Sequence, residues 1–250
     1  MSIALQVALV MVTILVVLLV IGAPIGVAIG MSSAVSMICM IPADVSFATS
    51  AQRIFAGSNS FSLIAIPFFI LAGNIMNNGG IATRLVNCAK VISGRMPGAL
   101  AQSNVVANML FGAISGSGAA AAAAMGGTIG PLEEKEGYDK NYSTAVNVAS
   151  APVGMLIPPS NTMIVYSSVA GSVSIAALFM AGYIPGLLWG GAVMILAGIM
   201  AKKRGYQAEQ RVPVKVALKT FWQAIPSLLL IVIVIGGILG GIFTATEGSA

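Results

Sequence analysis

Residues 154–162 read Gly-Met-Leu-Ile-Pro-Pro-Ser-Asn-Thr, and they lie in the middle of a long, mostly apolar run, 143–170. A run of this length predicts a helix that crosses a membrane. Pro158 and Pro159 have no N–H groups, however, so a helix cannot continue through them with all of its hydrogen bonds. The carbonyls that become free acceptors at mid-membrane are those of Gly154 and Met155. The sequence therefore predicts a transmembrane helix that is broken near its centre.

The residues after the two prolines favour a functional break. Ser160 or Asn161 can cap a half-helix that restarts near Thr162. A simple proline kink is the alternative, because such kinks are common in membrane helices. A double proline followed by three polar residues is less typical of a kink.

A second break lies upstream, where the sequence Ser-Gly-Ser-Gly at 115–118 separates the apolar segments 99–114 and 118–130. Each segment could form a helix of only about 20–24 Å, whereas a full crossing needs about 30 Å. Two short helices that meet at such a tip predict a re-entrant hairpin over residues 98–131. A tight hairpin of two ordinary helices with a glycine-rich bend is the alternative.

The composition excludes an ordinary soluble protein. Of the 250 residues, 58% are hydrophobic and 8% are charged, with a mean hydropathy of +0.98, whereas a soluble domain carries about 25% charged residues. The sequence has no His, which excludes His-based nucleophiles and His-ligated zinc. We expect no nucleic-acid partner, because the basic residues lie between apolar runs. The class that remains is an all-α polytopic membrane protein with interrupted helices.

Further apolar runs predict the remaining spans. The first run, 3–22, lacks the basic start and the cleavage site of a signal peptide, which favours a retained helix. Residues 44–57 have the spacing of an amphipathic helix that lies in the membrane interface, and a polar connecting loop is the alternative. The other predicted spans are 25–41, 61–76, 175–200 and 223–243.

The basic residues predict the orientation in the membrane. Eleven of the 12 Lys and Arg lie in the segments 78–97, 132–142 and 201–222, interpreted as loops. Basic loops favour the cytoplasm, and the three share one face if the hairpin re-enters. We therefore predict that the N-terminus and Ala250 lie outside and that the basic loops lie in the cytoplasm, with the spans in a lipid bilayer.

The two breaks together predict one binding site. Helix C-ends and free carbonyls suit a bare cation such as Na⁺, and helix N-ends with hydroxyls suit a carboxylate. Secondary transporters with broken helices and inverted repeats have this pattern. The predicted Na⁺ ligands are Ser117, Asn161 and neighbouring backbone carbonyls. The whole predicted Na⁺ and substrate site comprises Ser115, Gly116, Ser117, Gly118, Gly154, Met155, Pro158, Pro159, Ser160, Asn161 and Thr162.

These motifs belong to an ordered set of stretches that resembles a known family. The chain is similar to the large permease subunit, the DctM-like subunit, of the tripartite ATP-independent periplasmic (TRAP) transporters. The set covers nearly the whole chain, and its order is more specific than any single motif. The matching stretches are 60–73, 114–117, 157–160, 178–182 with Pro185-Gly186, and 241–247.

The resemblance implies an elevator-type, Na⁺-driven importer of organic acids, such as C4-dicarboxylates or sialic acids, in the bacterial inner membrane. It implies two partners, a periplasmic substrate-binding protein and a small four-helix membrane subunit. The stretch 44–57 would be the arm helix, and the two breaks would form one Na⁺ site and half of the substrate cleft. The resemblance implies no enzymatic activity and no cofactor, with Na⁺ as the coupling ion.

The resemblance also predicts the organisation of the chain. The family's large subunit has two inverted halves, each with a hairpin and a broken helix, and this sequence contains one of each. We predict that 1–97 forms scaffold spans, 98–200 half of the transport domain and 201–222 a cytoplasmic linker, while 223–250 opens a second repeat. The expected fold is thus the first inverted repeat plus one helix. The chain is interpreted as a fragment, a truncated product or one piece of a split subunit.

Three other functions are alternatives. A cation channel could use the re-entrant loop as its filter, but filters usually come from rings of identical loops or of charges. An intramembrane serine protease could use Ser115 or Ser117, but the sequence offers no His and no Lys at that depth. A non-transporting scaffold that only binds the small subunit is the third.

Overall fold

The computed structural model describes residues 3–171, 173–206, 208 and 213–249. Throughout these ranges the regular structure is helical, without strands, which confirms the all-α prediction. The helices form two compact units, Met1–Ser60 and Phe61–Ala250. The functional division into scaffold spans and a transport half stays a prediction.

The first unit consists, in its described part, of three helices: α1 Ile3–Val20, α2 Ile25–Ile38 and α3 Ala43–Ser58. α1 is apolar on all sides and buries no residue within the chain, as expected of a helix that faces lipid or a partner helix. α2 contacts both α1 and α3. The hydroxyl of the buried Ser46 on α3 donates to the carbonyl of Ala34 on α2 at 2.7 Å. The helix predicted at 44–57 is therefore present, and its position in the membrane interface stays a prediction.

The second unit is built around one central helix. Its elements are a 3₁₀ turn at Phe61–Ile64, followed by α4 Ala65–Asn78, α5 Ile81–Ser93, α6 Ala99–Ser115, α7 Gly118–Thr128, α8 Gly130–Lys135, α9 Lys140–Ser150, α10 Val153–Leu156, α11 Asn161–Ala170, α12 Ile175–Arg204, α13 Val214–Leu239 and α14 Ala245–Ser249. α6 contacts α4, α5, α7, α9, α10 and α12 and is buried along most of its length. Leu100, Phe111 and Met125 belong to the apolar core around it.

Three of the described helices, α1, α12 and α13, are long and apolar enough to cross a membrane. The segments Lys140–Leu156 and Asn161–Ala170 are long and apolar enough only as a pair, with a bend of 51° between them. This bent pair confirms the predicted broken helix. The chain is an all-α, multi-pass membrane protein.

The segment 78–97, interpreted as a loop, contains the helix α5. Its apolar face, which includes Leu85, Val86 and Ala89, is buried, and α5 contacts α6 and α13. Arg84 lies on the exposed face. The loop interpretation was wrong because counting basic residues hides an amphipathic helix whose charges all lie on one side.

The predicted linker 201–222 is largely helical. α12 continues to Arg204, and α13 begins at Val214 directly after Pro213. Proline favours a helix start because its missing N–H would be unpaired there in any case. Arg211, which contributed to the predicted basic loop, lies outside the described residues.

Candidate cation and substrate site

The hairpin tip joins a helix C-terminus directly to a helix N-terminus. α6 ends at Ser115, and Gly116 follows in the left-handed region with a φ of 62°. The Gly116 N–H donates to the carbonyl of Gly112 at 2.8 Å. Ser117 then caps α7, since its hydroxyl accepts a hydrogen bond from the Ala120 N–H at 3.3 Å. The last carbonyls of α6 and the first N–H groups of α7, which cannot all find partners within their own helices, therefore lie close together at the tip.

The second break spans the extended residues between α10 and α11. Ser160 caps α11 and accepts a hydrogen bond from the Met163 N–H at 3.4 Å. The Ser160 hydroxyl also donates to the carbonyl of Met155. Pro158 and Pro159 are buried in this segment. Of the two carbonyls predicted to be free acceptors, that of Met155 is thus occupied by a side chain.

The two breaks meet at Asn161, the first residue of α11. Its side-chain Nδ2 lies 3.5 Å from the carbonyl oxygen of Ser115, to which it donates. A Cβ atom at Gly116 would lie 3.0 Å from the Asn161 backbone nitrogen. The Asn161 Oδ1 atom is buried and has no hydrogen-bond partner among the described residues. An unpaired buried acceptor costs about 1–3 kcal/mol, which a cation bound there would offset.

Glycines allow the hairpin to pack against the broken helix. Gly112 on α6 faces Gly154 on α10 so closely that a methyl group at either position would overlap the backbone of the other. A Cβ at Gly118 would lie 3.1 Å from the carbonyl oxygen of Ala151. Small residues of this kind permit close approach of helix backbones in membrane proteins.

A cavity of 430 Å³ adjoins the hairpin tip. Its volume lies in the range of about 300–1,000 Å³ that is typical of small-molecule sites. Its polar lining comes from Asn74, Ser115 and Ser117, and its described lining carries no charged side chain. The arrangement can therefore present hydroxyl and amide groups to a small ligand beside the tip.

The structure does not bring every predicted residue to this cavity. Thr162 is exposed and lines a separate apolar cavity of 290 Å³ together with Tyr166 and Trp189. Pro159 lines a third cavity of 240 Å³. Met155 lines the same apolar cavity as Thr162. Of the predicted residues, Ser115 and Ser117 line the cavity at the tip, and Asn161 contacts Ser115 and Gly116.

Sequence reasoning missed a buried polar cluster behind the hairpin. The Asn108 Nδ2 atom donates to the side-chain oxygens of Asn104 and Ser150, each at 2.8 Å, and of Asn147 at 3.0 Å. Asn147 in turn donates to the carbonyl of Ala122 at 2.9 Å, so the cluster ties α6, α7 and α9 together. The available signal was two Asn residues four positions apart in an apolar segment, which places them on one helix face.

A hairpin tip packed against a broken helix, in an all-α multi-pass protein, is the arrangement of helices found in secondary transporters. The sequence of residues 12–250 matches the family described as tripartite ATP-independent periplasmic transporter, DctM component. The chain belongs to this family, which confirms the resemblance drawn from its motifs.

Several curated proteins are similar to this chain. YgiK of Salmonella typhimurium is 54% identical over 219 residues, which are 88% of this chain and 50% of that protein. A C4-dicarboxylate TRAP transporter large permease protein of Rhodobacter capsulatus is 38% identical over 215 residues, 81% of this chain and 49% of that protein. A sialic acid TRAP transporter large permease protein of Vibrio cholerae is 40% identical over 205 residues, 80% of this chain and 47% of that protein. The chain spans about half the length of these relatives.

Proposed function

We propose that this chain supplies one Na⁺ site and one side of the substrate cleft in a TRAP permease that imports small organic acids. The observation that carries the proposal is the unpaired, buried Oδ1 atom of Asn161, which lies at the contact between the hairpin tip and the broken helix. Oxygen donors are the ligands that hard cations prefer. Asn161, the Ser117 hydroxyl and the last carbonyls of α6 would hold the ion.

The cavity beside the tip suits an organic acid. The N-terminus of α7 lies at Ser117, and helix N-termini favour anions through their free N–H groups. Similar proteins carry the names of C4-dicarboxylate and sialic acid transporters. Because both ligands would share Ser117, we expect the binding of the ion to change the affinity for the acid, and the reverse.

The partners and the orientation follow from the apolar surface and the charge distribution. α1 buries no residue within the chain, and we propose that it packs against lipid and the small four-helix subunit. A periplasmic substrate-binding protein would deliver the acid. We place the N-terminus in the periplasm and the basic segments in the cytoplasm, on the positive-inside rule.

The test is the Na⁺ dependence of organic-acid uptake by proteoliposomes that contain the assembled transporter, together with ²²Na⁺ binding by the purified chain. Asn161→Ala should weaken Na⁺ binding about 10–100-fold, because a hydrogen bond or ligand to a charged group is worth about 1.5–3 kcal/mol. Ser117→Ala should weaken it in the same direction. Asn87→Ala, at an exposed position on α5, is the matched control and should leave Na⁺ binding unchanged.

Wild-type Na⁺ affinity in both Asn161→Ala and Ser117→Ala would contradict the site. Binding of the small subunit without Na⁺-dependent uptake would instead support the scaffold function. Uptake of the acid without any Na⁺ requirement would refute the coupling while leaving the substrate class intact.

A further inference from the structure

A second polar cavity lies at the end of the hairpin remote from the tip. It has a volume of 340 Å³ and is lined by residues of α6, α8 and α9, among them Asn104, Glu133 and Ser143. Glu133 follows Ser117 by 16 residues, a path of about 24 Å along a helix. The cavity is therefore separate from the site proposed at the tip.

Buried atoms without partners face this cavity. Glu133 is 1% exposed, and its Oε1 atom has no hydrogen-bond partner within the described part of the chain. The same holds for the Nδ2 atom of Asn104, which is also 1% exposed, whereas the Ser143 hydroxyl lies close enough to Glu133 to act on its carboxyl group. An ionised carboxylate that is buried without compensation is strongly unfavourable. The unpaired Oε1 atom of Glu133 therefore points to a bound species that this chain does not itself supply.

Among the described residues, Glu133 forms no ion pair with a charged neighbour. Glu134 and Lys140 also line the cavity, but the ion pair found among the described residues joins Asp139 to Arg204, at 3.0 Å.

The ionisation of Glu133 reflects this environment. Burial raises the pKa of Glu133 to about 7, the negative charge of Glu136 adds to the rise, and the nearby Ser143 hydroxyl offsets part of it. The carboxylate is therefore charged above neutral pH, when its need for a counter-ion is greatest.

We propose that this cavity binds a hydrated monovalent cation through the carboxylate of Glu133 and the hydroxyl of Ser143. Oxygen donors suit hard cations, and the charge of one carboxylate matches a monovalent ion, whereas Ca²⁺ takes about six to eight oxygen ligands that include several carboxylates. Across the described ranges no cluster of three or more acidic, His or Cys residues is positioned to hold a metal ion. The cavity has room for several waters at about 30 Å³ each, which complete the coordination. Asn104 Nδ2 donates to one of these waters.

The experiment is ²²Na⁺ binding by the purified full chain in lipid nanodiscs at pH 8, with choline replacing Na⁺ at constant ionic strength. We compare the wild type with Glu133→Gln, Asn161→Ala and the double variant. The wild type should bind two Na⁺ ions, each single variant one, and the double variant none. Glu136→Gln, which removes a neighbouring carboxylate outside the cavity lining, is the matched control and should still bind two.

The outcomes separate this site from the one at the tip. If Glu133→Gln binds as many ions as the wild type while Asn161→Ala loses one, the second site is refuted and the tip site stands. If only Glu133→Gln loses an ion, the tip assignment fails and the second site stands. Ser143→Ala, which keeps the carboxylate, should weaken Na⁺ binding about tenfold at this site, and it tests the proposal if Glu133→Gln does not fold. Unchanged binding in Ser143→Ala and Glu133→Gln would overturn the proposal.

Discussion

Glu133 makes the stability of the protein depend on pH through one buried carboxyl group. Burial raises its pKa from 4.5 to about 7. A carboxyl with a raised folded-state pKa contributes stability that is fully present below pH 4.5 and is lost as the pH rises through about 7. The shift corresponds to about 3 kcal/mol.

We therefore predict that Glu133→Gln flattens the pH dependence of unfolding between about pH 4.5 and 8 and makes the protein more stable than the wild type at pH 8, by up to about 3 kcal/mol. Thermal unfolding in Na⁺-free choline buffer measures the effect, because no bound cation then compensates the charge. Glu136→Gln should change the profile only slightly. Parallel pH profiles for the wild type and Glu133→Gln would contradict the prediction.

For single residues, the sequence identifies the polar residues of the second break, but it does not show which way their side chains point. Asn161 contacts the hairpin tip, whereas Thr162, the next residue, faces an exposed cavity. Successive helical residues point about 100° apart, so the three polar residues could not share one site. Which of them faces the tip depends on where α11 begins, and the Ser160 cap fixes that start only in the folded chain.

At the scale of elements, the contact between α6 and α10 depends on two facing glycines. We predict that Gly112→Ala destabilises the protein by about 1–3 kcal/mol, because the added methyl overlaps the backbone of Gly154 and overpacked cores cost this much. The same variant should weaken Na⁺ binding although it changes none of the residues proposed to hold the ion, because the added methyl pushes the hairpin tip away from Asn161. Thermal unfolding and ²²Na⁺ binding measure the two effects.

The matched control is Gly127→Ala on α7, where a Cβ would have no neighbour within 4 Å. Alanine in a helix is more favourable than glycine by up to about 1 kcal/mol, so this variant should be equally stable or more stable. Equal stability of Gly112→Ala and Gly127→Ala would show that the close approach of α6 and α10 is unimportant.

The helices differ in how well the sequence reveals them. Both arms of the hairpin and the break at the prolines were predictable, because the signals are local: apolar runs, a Ser-Gly tip and missing N–H groups. α5 was not predictable, because its apolar face is recognisable only from its contacts with α6 and α13.

Glycines spaced four apart on α12 are visible in the sequence, but only the fold shows what they contact. A Cβ at Gly182 would overlap the carbonyl of Leu156, and one at Gly186 would lie 2.8 Å from Ile157 Cγ1.

At the scale of the whole molecule, the buried polar residues set the limit of sequence reasoning. Glu133 belongs to the predicted loop 132–142 and Asn104 to the predicted apolar segment 99–114, yet both line one cavity. The neighbouring residues in the sequence do not distinguish a buried Glu from an exposed one, because α6, α8 and α9 bury Glu133 only when they pack together. Family membership could be predicted from the order of the motifs alone, because that order can be recognised in the sequence without knowledge of the fold.

The orientation of the molecule is a prediction that rests on charge and can be tested on intact cells. Cys39 is exposed at the end of α2 and belongs to the side predicted to be periplasmic, whereas Lys203 lies in the last turn of α12 on the basic side. A membrane-impermeant maleimide should therefore label Cys39 in spheroplasts without permeabilisation. In a Cys39→Ser background, Lys203→Cys should be labelled only after the membrane is opened, because the inner face is closed to the reagent. The buried Cys88 should stay unlabelled in both cases. Labelling of Lys203→Cys from outside would invert the topology and place the cavity of Glu133 on the periplasmic face.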